Sequence, residues 1–434
     1  MRLEPAAPAP PPRALRVVVD ARPMQEPERS PLTCWYLEQL LDAFAADPLE
    51  DESFVIISRS LRPDPTPELV SAGLPVAGSR RIPPTTRALR SAGLTLDSFL
   101  LRGAEVGARG SERAVFHTAG GAVPLASRLP VVATLLDFAP WELPETYAAS
   151  PAARFGHRLR ARVLRDAAQV IVCSRAVGET AARRLHVPAD RISVIPLAVG
   201  DDFAAAVRDR ERLAIDRARL SLPARYIAFS GRYDARKDLR TLFQALSLLR
   251  QRGTAPALVM ALDLAFPDEH ARVARAIEAS GLDGVVSVVG TTGARQRAAV
   301  VAGAEAFVYP ALSEATALPV LEALRVGVPV ICSRAGALPE TVGSAGIVVE
   351  PRDPQRMAAA LVAIWSAGSL AQQLRRKAGR RAESNTRSWA DVALETRVAY
   401  AAAAESSEIR PSSTGTQSDA EPPVRSGFRR FAIR

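Results

Sequence analysis

Short, β-rich apolar runs alternate with longer stretches of helical spacing along most of this chain. That alternation narrows its possible folds more than any other feature. "LRVVVDA" (15–21), "SFVIIS" (53–58), "RAVFHT" (113–118), "LPVVATLLD" (129–137), "AQVIVCS" (168–174) and "RISVIPL" (191–197) read as strands, and 151–166 and 175–186 read as helices. Strands that are apolar at almost every position are buried on both faces, as in a parallel sheet covered by helices. After the charged segment 205–220 the pattern restarts with "RYIAFSG" (225–231), "APALVMAL" (255–262), "GVVSVVG" (284–290), "EAFVYP" (305–310), "VPVICS" (328–333) and "AGIVVE" (345–350). Helices are expected between these strands, near 238–251, 268–280, 293–303, 319–326 and 354–367. The expected fold is α/β, two doubly wound domains facing each other across a cleft.

Composition bounds the rest. With 434 residues, 48% of them hydrophobic, the chain can fill two ordinary cores. Cys34, Cys173 and Cys332 are too scattered for a disulfide framework or a metal site, which suggests a reducing compartment and a cytoplasmic protein. No apolar run approaches the length of a membrane span. The "PAAPAPPP" leader (within 1–13) and the Ser/Pro/acidic tail from 405 to 434 are expected to be disordered. The net charge of +10 is carried almost wholly by arginine, with lysine only at 237 and 377. Such a surface suits nucleotide phosphates or, at the inner face, an anionic membrane, which the ending "GFRRFAIR" could also touch. With 5% aromatics, nucleic acid is not expected.

No phosphate-binding G-x-x-x-x-G-K-[ST], zinc-binding H-E-x-x-H or nucleophilic G-x-S-x-G motif is present. The first strand is followed by "ARPMQEPERSPLTC" and not by a glycine-rich dinucleotide turn, so no cofactor is expected. Two places could hold an anion. In "FSGRYDARKDL" (229–239) a strand ends at Gly231, Arg232 follows, and Lys237 falls where the next helix begins. Arg236 and Arg240 read as ordinary surface charge. Lys237 reads differently, because a chain that otherwise uses arginine keeps a compact ammonium there. In "YPALSEATALPVLEALRVGVPVI" (309–331) Pro319 suits the start of a short buried helix and Gly327 its end. Glu322 is the only carboxylate of that helix, and Glu314 lies in the loop before it.

These residues resemble those of retaining glycosyltransferases of family 4, which have the GT-B fold of two Rossmann-like domains. Glu314 to Glu322 matches the family's E-x7-E motif, while "GRYDARKDL" resembles its G-R-x5-K segment and "LPVLEAL.VGVPVICS.AGALPETVG" the stretch that follows. "AAQVIVCSRAVGETAARRLHVPADRISVIPLAVG" (167–200) resembles the end of its N-terminal domain, and "SWADVALETRVAY" (388–400) the final helix. The resemblance implies an N-terminal acceptor domain (14–200), a linker (201–222), a C-terminal donor domain (223–385) and a helix crossing back (386–404). It further implies transfer of a sugar from a nucleotide sugar to a glycan, lipid or other acceptor, without a metal and with retention of configuration. Arg232 and Lys237 would hold the diphosphate, Glu322 the ribose, and Glu314 the sugar near the reacting carbon. Gly231, Thr316, Ala317 and Leu318 would line the donor corner, and the turn 288–293, with Gly290 and Thr291, the base. His117 and Asp137 would face the acceptor.

Three departures from the family pattern touch this cleft. The usual E-G-F-G-L-P is "EATALP" here, and its added Cβ atoms are expected to crowd the donor or forbid positive φ. Leu136 stands where a cleft histidine is expected, and the first glycine-rich loop is replaced. Two functions follow from this: an active transferase, in which Lys237→Ala and Glu322→Ala abolish transfer without unfolding the chain, or a non-catalytic relative acting as a binding partner.

Overall fold

The computed structural model describes residues 14–83, 101 and 113–408, apart from 121, 122, 126, 292, 367 and 385. The leader, and the tail from 409 with "GFRRFAIR", lie outside these residues. Among the described residues the first domain is a seven-stranded parallel sheet, built from β1 (Leu15–Asp20), β2 (Glu52–Arg59), β3 (Val76–Ile82), β4 (Arg113–Ala119), β5 (Val131–Leu135), β6 (Gln169–Val172) and β7 (Ile192–Val194). Their spatial order is β3-β2-β1-β4-β5-β6-β7. The second domain repeats the plan with six strands, β8 (Ile227–Ser230), β9 (Leu258–Asp263), β10 (Val286–Thr291), β11 (Ala306–Tyr309), β12 (Val330–Ser333) and β13 (Gly346–Val349). Their order is β10-β9-β8-β11-β12-β13. The expected α/β architecture of two doubly wound domains is present.

The apolar strands fill the two cores. Val17, Val18, Val19, Phe116, Phe229 and Phe307 are fully buried, and each such side chain contributes about 1.5–3 kcal/mol. Strand β3 escaped the sequence pattern. It is an edge strand in which exposed and partly covered residues alternate, so "VAGSRRI" lacks an apolar run. The helices start where their sequences direct. Ser150 and Ser174 accept hydrogen bonds from the backbone N–H of Ala153 (3.1 Å) and Val177 (3.2 Å), and proline opens the helices Pro31–Ala46, Pro151–Asp166 and Pro354–Trp365.

The segment 201–222, expected as a linker, is largely helical. It forms the helices Asp201–Arg208 and Arg210–Arg219, which pack on the helix Ala294–Ala302 of the second domain through Phe203, Ala294 and Ala298. Asp202 accepts from the N–H of Phe203 in the first turn (2.7 Å). The last helix, Trp389–Glu408, runs past the expected tail boundary at 405 and lies on the first domain. Trp389 meets Trp35 edge-on, and Arg397 pairs with buried Glu52 (2.9 Å).

Strand order reverses between β1 and β4 in the first sheet and between β8 and β11 in the second. At such switch points the crossover helices leave on opposite faces and open a crevice at the carboxyl ends of the strands. Gly231 follows β8, and the segment from Pro310 to Thr316 follows β11.

Candidate active site between the two domains

The second domain's switch point holds a buried charged cluster. Lys237 ends a short 3-10 turn (Ala235–Lys237) after β8 and is 5% exposed. Its ammonium donates to the Tyr309 hydroxyl at the tip of β11 and, at 2.5 Å, to Oε2 of Glu314, itself 5% exposed. Tyr309 also donates to that oxygen (3.0 Å). The other oxygen, Oε1, accepts from the N–H groups of Thr316 and Ala317 and from the Thr316 hydroxyl, at 3.2–3.4 Å. Burial alone would raise the Glu314 carboxyl, but the charges of Lys237 and Arg236 and the Lys237 hydrogen bond outweigh it and hold it down to about 2. For Lys237 burial prevails over the attraction of Glu314, and its pKa falls. The hydrogen bonds on both carboxylate oxygens fix the pair in place.

The loop around this pair bears on the missing glycines. Ala317 adopts φ +53° and is fully buried. The expectation that alanine would forbid the left-handed conformation is therefore wrong. The chain keeps the conformation and carries a strain of about 1–2 kcal/mol, held by the Glu314 contacts and by the helix Leu318–Arg325 that starts there. Leu318 is partly covered, and Thr316 is buried with its hydroxyl committed to Glu314. Gly231 sits at φ +140° beside the Phe229 and Tyr309 rings.

The other expected donor residues are present but engaged with protein partners. Arg232 is engaged away from the Lys237–Glu314 pair's hydrogen bonds. It pairs with Glu269 at the start of the helix Pro267–Ala279 (Nε to Oε1, 2.5 Å) and lies over the Phe266 ring at 3.5 Å. Glu269 also accepts from the N–H of Tyr233 (2.9 Å). Glu322 is 3% exposed and takes a two-pronged bond from Arg297, at 2.8 and 3.0 Å. Gly290 is covered by Leu264, and Thr291 is buried with its hydroxyl donating to the Leu262 carbonyl (3.2 Å). Glu269, Glu322 and Thr291 are buried polar groups, and each is paired within the protein.

Arg236 corrects the surface-charge reading. Its side chain is 19% exposed and reaches across the cleft to Asp137 (2.9 Å). Burial would lower its pKa, but Asp137, Glu314 and Asp234 raise it further. Asp137 does face the second domain. Beside it, Glu142 of the short helix Ala139–Glu142 accepts from the Ser313 hydroxyl (2.5 Å), and Tyr147 donates to Asp234. Burial raises the Glu142 carboxyl, only partly offset by Ser313. Glu340 accepts from the N–H groups of Arg175 and Ala176 (3.3 and 3.1 Å), at the start of a first-domain helix.

His117 does not face the cleft. It is fully buried, with Nε2 at 2.9 Å from the Thr134 hydroxyl and Nδ1 at 2.8 Å from the Tyr400 hydroxyl of the last helix. Burial holds its pKa down to about 4. Leu136, at the position expected for histidine, is 1% exposed in the first domain's core.

Sequence reasoning missed Tyr309, Glu142, Arg236 and Gly336. Tyr309 and Gly336 stand in segments already singled out, "VYPALSE" and "AGALPE". Nothing local to the sequence distinguishes Arg236 or Glu142, because each owes its role to the opposite domain. Among the described residues, no three His, Cys, Asp or Glu side chains cluster as metal ligands. No single helix among them is long and apolar enough to cross a membrane.

Two family models match, one to each domain: "Glycosyltransferase Family 4" over residues 55–203 and "Glycosyl transferases group 1" over residues 224–367. The chain is 31% identical over 179 residues to O-antigen chain mannosyltransferase B of Escherichia coli, covering 41% of this chain and 46% of that one. It is 29% identical over 248 residues to the MMP alpha-(1->4)-mannosyltransferase of Mycolicibacterium hassiacum, covering 56% of each. The chain thus spans about half the length of these curated relatives. Among solved structures, sucrose-phosphate synthase from Thermosynechococcus elongatus superposes with a TM-score of 0.65 at 20% identity, over 89% of this chain and 98% of that one. At that identity the likeness concerns the fold, which is GT-B.

Proposed function

Since the chain belongs to the family-4/group-1 glycosyltransferases, one of whose models each domain matches, we propose that it moves a sugar from a nucleoside-diphosphate donor to a glycan or lipid-linked acceptor, retaining configuration and needing no metal. The observation that carries this reading is the buried Lys237–Tyr309–Glu314 cluster at the carboxyl ends of the two central strands, with Arg236 beside it reaching across the cleft to Asp137 and Glu142 meeting Ser313 from the first domain. An ammonium has three donors, and the two named partners of Lys237 leave one for a phosphate oxygen. Arg232 exchanges Glu269 for the diphosphate when the donor enters, and the two cations take up the leaving group's charge in place of a metal. Glu314 presents the donor sugar, and Glu322, shared with Arg297, meets the ribose. Asp137 and Glu142 hold the acceptor hydroxyl on the other side. Catalysis is then positioning plus charge stabilisation.

Mannose is the first sugar to try, because two relatives are named mannosyltransferases. The test is calorimetric titration of UDP, GDP, ADP and dTDP and their common sugar conjugates into the full chain, followed by an acceptor screen with the donor that binds. Charge-assisted contacts of about 1.5–3 kcal/mol each give a clear signal for one nucleotide. Silence across the panel overturns the reading and leaves a non-catalytic binding role.

A further inference from the structure

Arg160, on the inner face of the helix Pro151–Asp166, is a buried cation to which sugar transfer has so far given no role. It is one of three buried arginines among the described residues. The other two are matched: Arg22 has the carboxylate of Asp20 at 2.7 Å, and Arg59 that of Glu26 at 3.3 Å. Arg160 is 6% exposed and has no carboxylate at ion-pair distance among the described residues. Its guanidinium donates to the Gly120 carbonyl at the end of β4 and lies over the Trp141 ring at 4.9 Å. Its Nε is buried without a hydrogen-bond partner. Burial pulls its pKa down to about 10, and Asp137, already paired with Arg236 at 2.9 Å, offsets this only in part.

Two more polar atoms in the same corner share this condition. Trp141, on the short helix Ala139–Glu142, and His157, one turn before Arg160, meet with ring centroids 6.0 Å apart. The indole Nε1 of Trp141 and the Nδ1 of His157 are buried, and neither has a hydrogen-bond partner among the described residues. Folded chains leave few such groups unpaired, so three in one corner point to one ligand. Guanidinium and indole N–H groups can only donate, and a histidine ring nitrogen can donate. The group that satisfies all three accepts hydrogen bonds and carries negative charge: an oxyanion. The corner also lies where the acceptor is placed. It sits at the carboxyl ends of β4 and β5, and Asp137 and Glu142 on either side of Trp141 reach Arg236 and Ser313 of the second domain.

We propose that Trp141, His157 and Arg160 bind the oxyanion of a negatively charged acceptor, a phosphate first of all, and so decide which acceptors the protein takes. The donors come from two separate elements, which suits the oxygens of a tetrahedral phosphate better than the flat edge of a carboxylate. A neutral acceptor leaves the buried guanidinium without a counter-charge, a costly state. Glu142–Ser313 and Tyr147–Asp234 bridge the cleft at this edge, and the acceptor enters as the domains part there. That the anion belongs to the acceptor rests on the transferase reading; the anion site itself rests on the first domain alone.

The experiment is calorimetric titration of mannose 6-phosphate, farnesyl phosphate and methyl α-mannoside into the full chain. At least one phosphorylated probe is expected to bind roughly tenfold or more tighter than the neutral mannoside, the value of one charge-assisted hydrogen bond. The tighter of the two tells a soluble sugar phosphate from a lipid phosphate. Arg160→Met lowers that affinity roughly tenfold, and Trp141→Phe, which keeps an aromatic ring and removes the N–H, lowers it several-fold. Trp141→Phe decides the matter if Arg160→Met does not fold. Arg232→Ala, which weakens nucleoside diphosphates, leaves the phosphate probes unchanged. The proposal is overturned if the mannoside binds as well as the phosphates, if Trp141→Phe binds them like wild type, or if Arg232→Ala abolishes their binding, which would put them in the donor site. Phosphate binding with silence across the nucleotides keeps the anion site and sinks the transferase reading. Nucleotide binding with silence toward both phosphates does the reverse.

Discussion

Gly336 lies against the backbone of Glu314: with φ +47° it sits so close that a β-carbon there would overlap the Glu314 carbonyl oxygen. The next residue, Ala337, donates its N–H to that same carbonyl (2.8 Å). The loop after β12 thus holds the loop after β11 in place, and with it the carboxylate that meets Lys237. Gly336→Ala should shift Glu314 and lower transfer by two orders of magnitude or more, since a misplacement of about 1 Å in a reacting geometry costs about that much. Activity close to wild type would show that the Glu314 position is not set from behind.

The Lys237–Glu314 pair makes an alanine scan ambiguous, contrary to the expectation from sequence. Lys237→Ala leaves a buried carboxylate without its cation and should cost about 3–5 kcal/mol in stability as well as activity. The double variant Lys237→Met/Glu314→Gln removes both charges and should regain most of the stability in urea unfolding while remaining inactive. A double variant as unstable as the single one would contradict the pairing.

In the proposed function, Glu269 competes with the donor for Arg232. Glu269→Gln removes that charge, and nucleoside-diphosphate affinity is expected to rise roughly tenfold, the value of one charge-assisted hydrogen bond at the low end. Arg232→Ala should weaken the same titration by a similar factor. Unchanged affinity in both would remove Arg232 from the donor site.

Ala317 carries left-handed strain that glycine does not. Ala317→Gly is expected to stabilise the chain by about 1 kcal/mol, the relieved strain less the extra freedom of the unfolded chain. Denaturant unfolding measures this directly, and a loss of stability would mean that the buried methyl group matters more than the backbone.

His117 gives stability a defined pH dependence. Its folded pKa of about 4 lies below the ordinary value of 6.5, so between these values the unfolded chain binds the extra proton. The His117 contribution is fully present above pH 6.5 and is lost as pH falls toward 4, by about 3 kcal/mol in all. Glu314 adds its own loss only lower down, as pH falls from about 4.5 toward 2. Melting curves from pH 7 to 5 should therefore show a slope that His117→Asn reduces, the remainder of the same sign coming from His157, whose pKa burial also lowers.

How much was legible follows from where each signal resides. The strands of both sheet centres were readable because burial on both faces leaves an unbroken apolar run, as in Val17–Val19 or Phe307–Tyr309. Edge strand β3 was not, because half of its environment is solvent. Lys237, Glu314 and Glu322 could be named from their spacing and from the scarcity of lysine. Their partners could not: Arg297 lies 25 residues from Glu322, Tyr309 is 72 from Lys237, and Asp137 is 99 from Arg236.

The sequence by itself therefore determined the two α/β domains, the places where strands end and helices begin, and the charged residues available at those ends. These are local properties, set by period, capping and backbone preference within a dozen residues. Only the tertiary structure decided what those residues do. It turned His117 into a packing contact with Tyr400, drew Arg236 from presumed solvent into the cleft, tied Arg232 to Glu269, and kept Ala317 in a conformation that its side chain disfavours. The physical reason is that a buried charge must find a counter-charge wherever the fold offers one, and the fold brings together residues that are far apart along the chain.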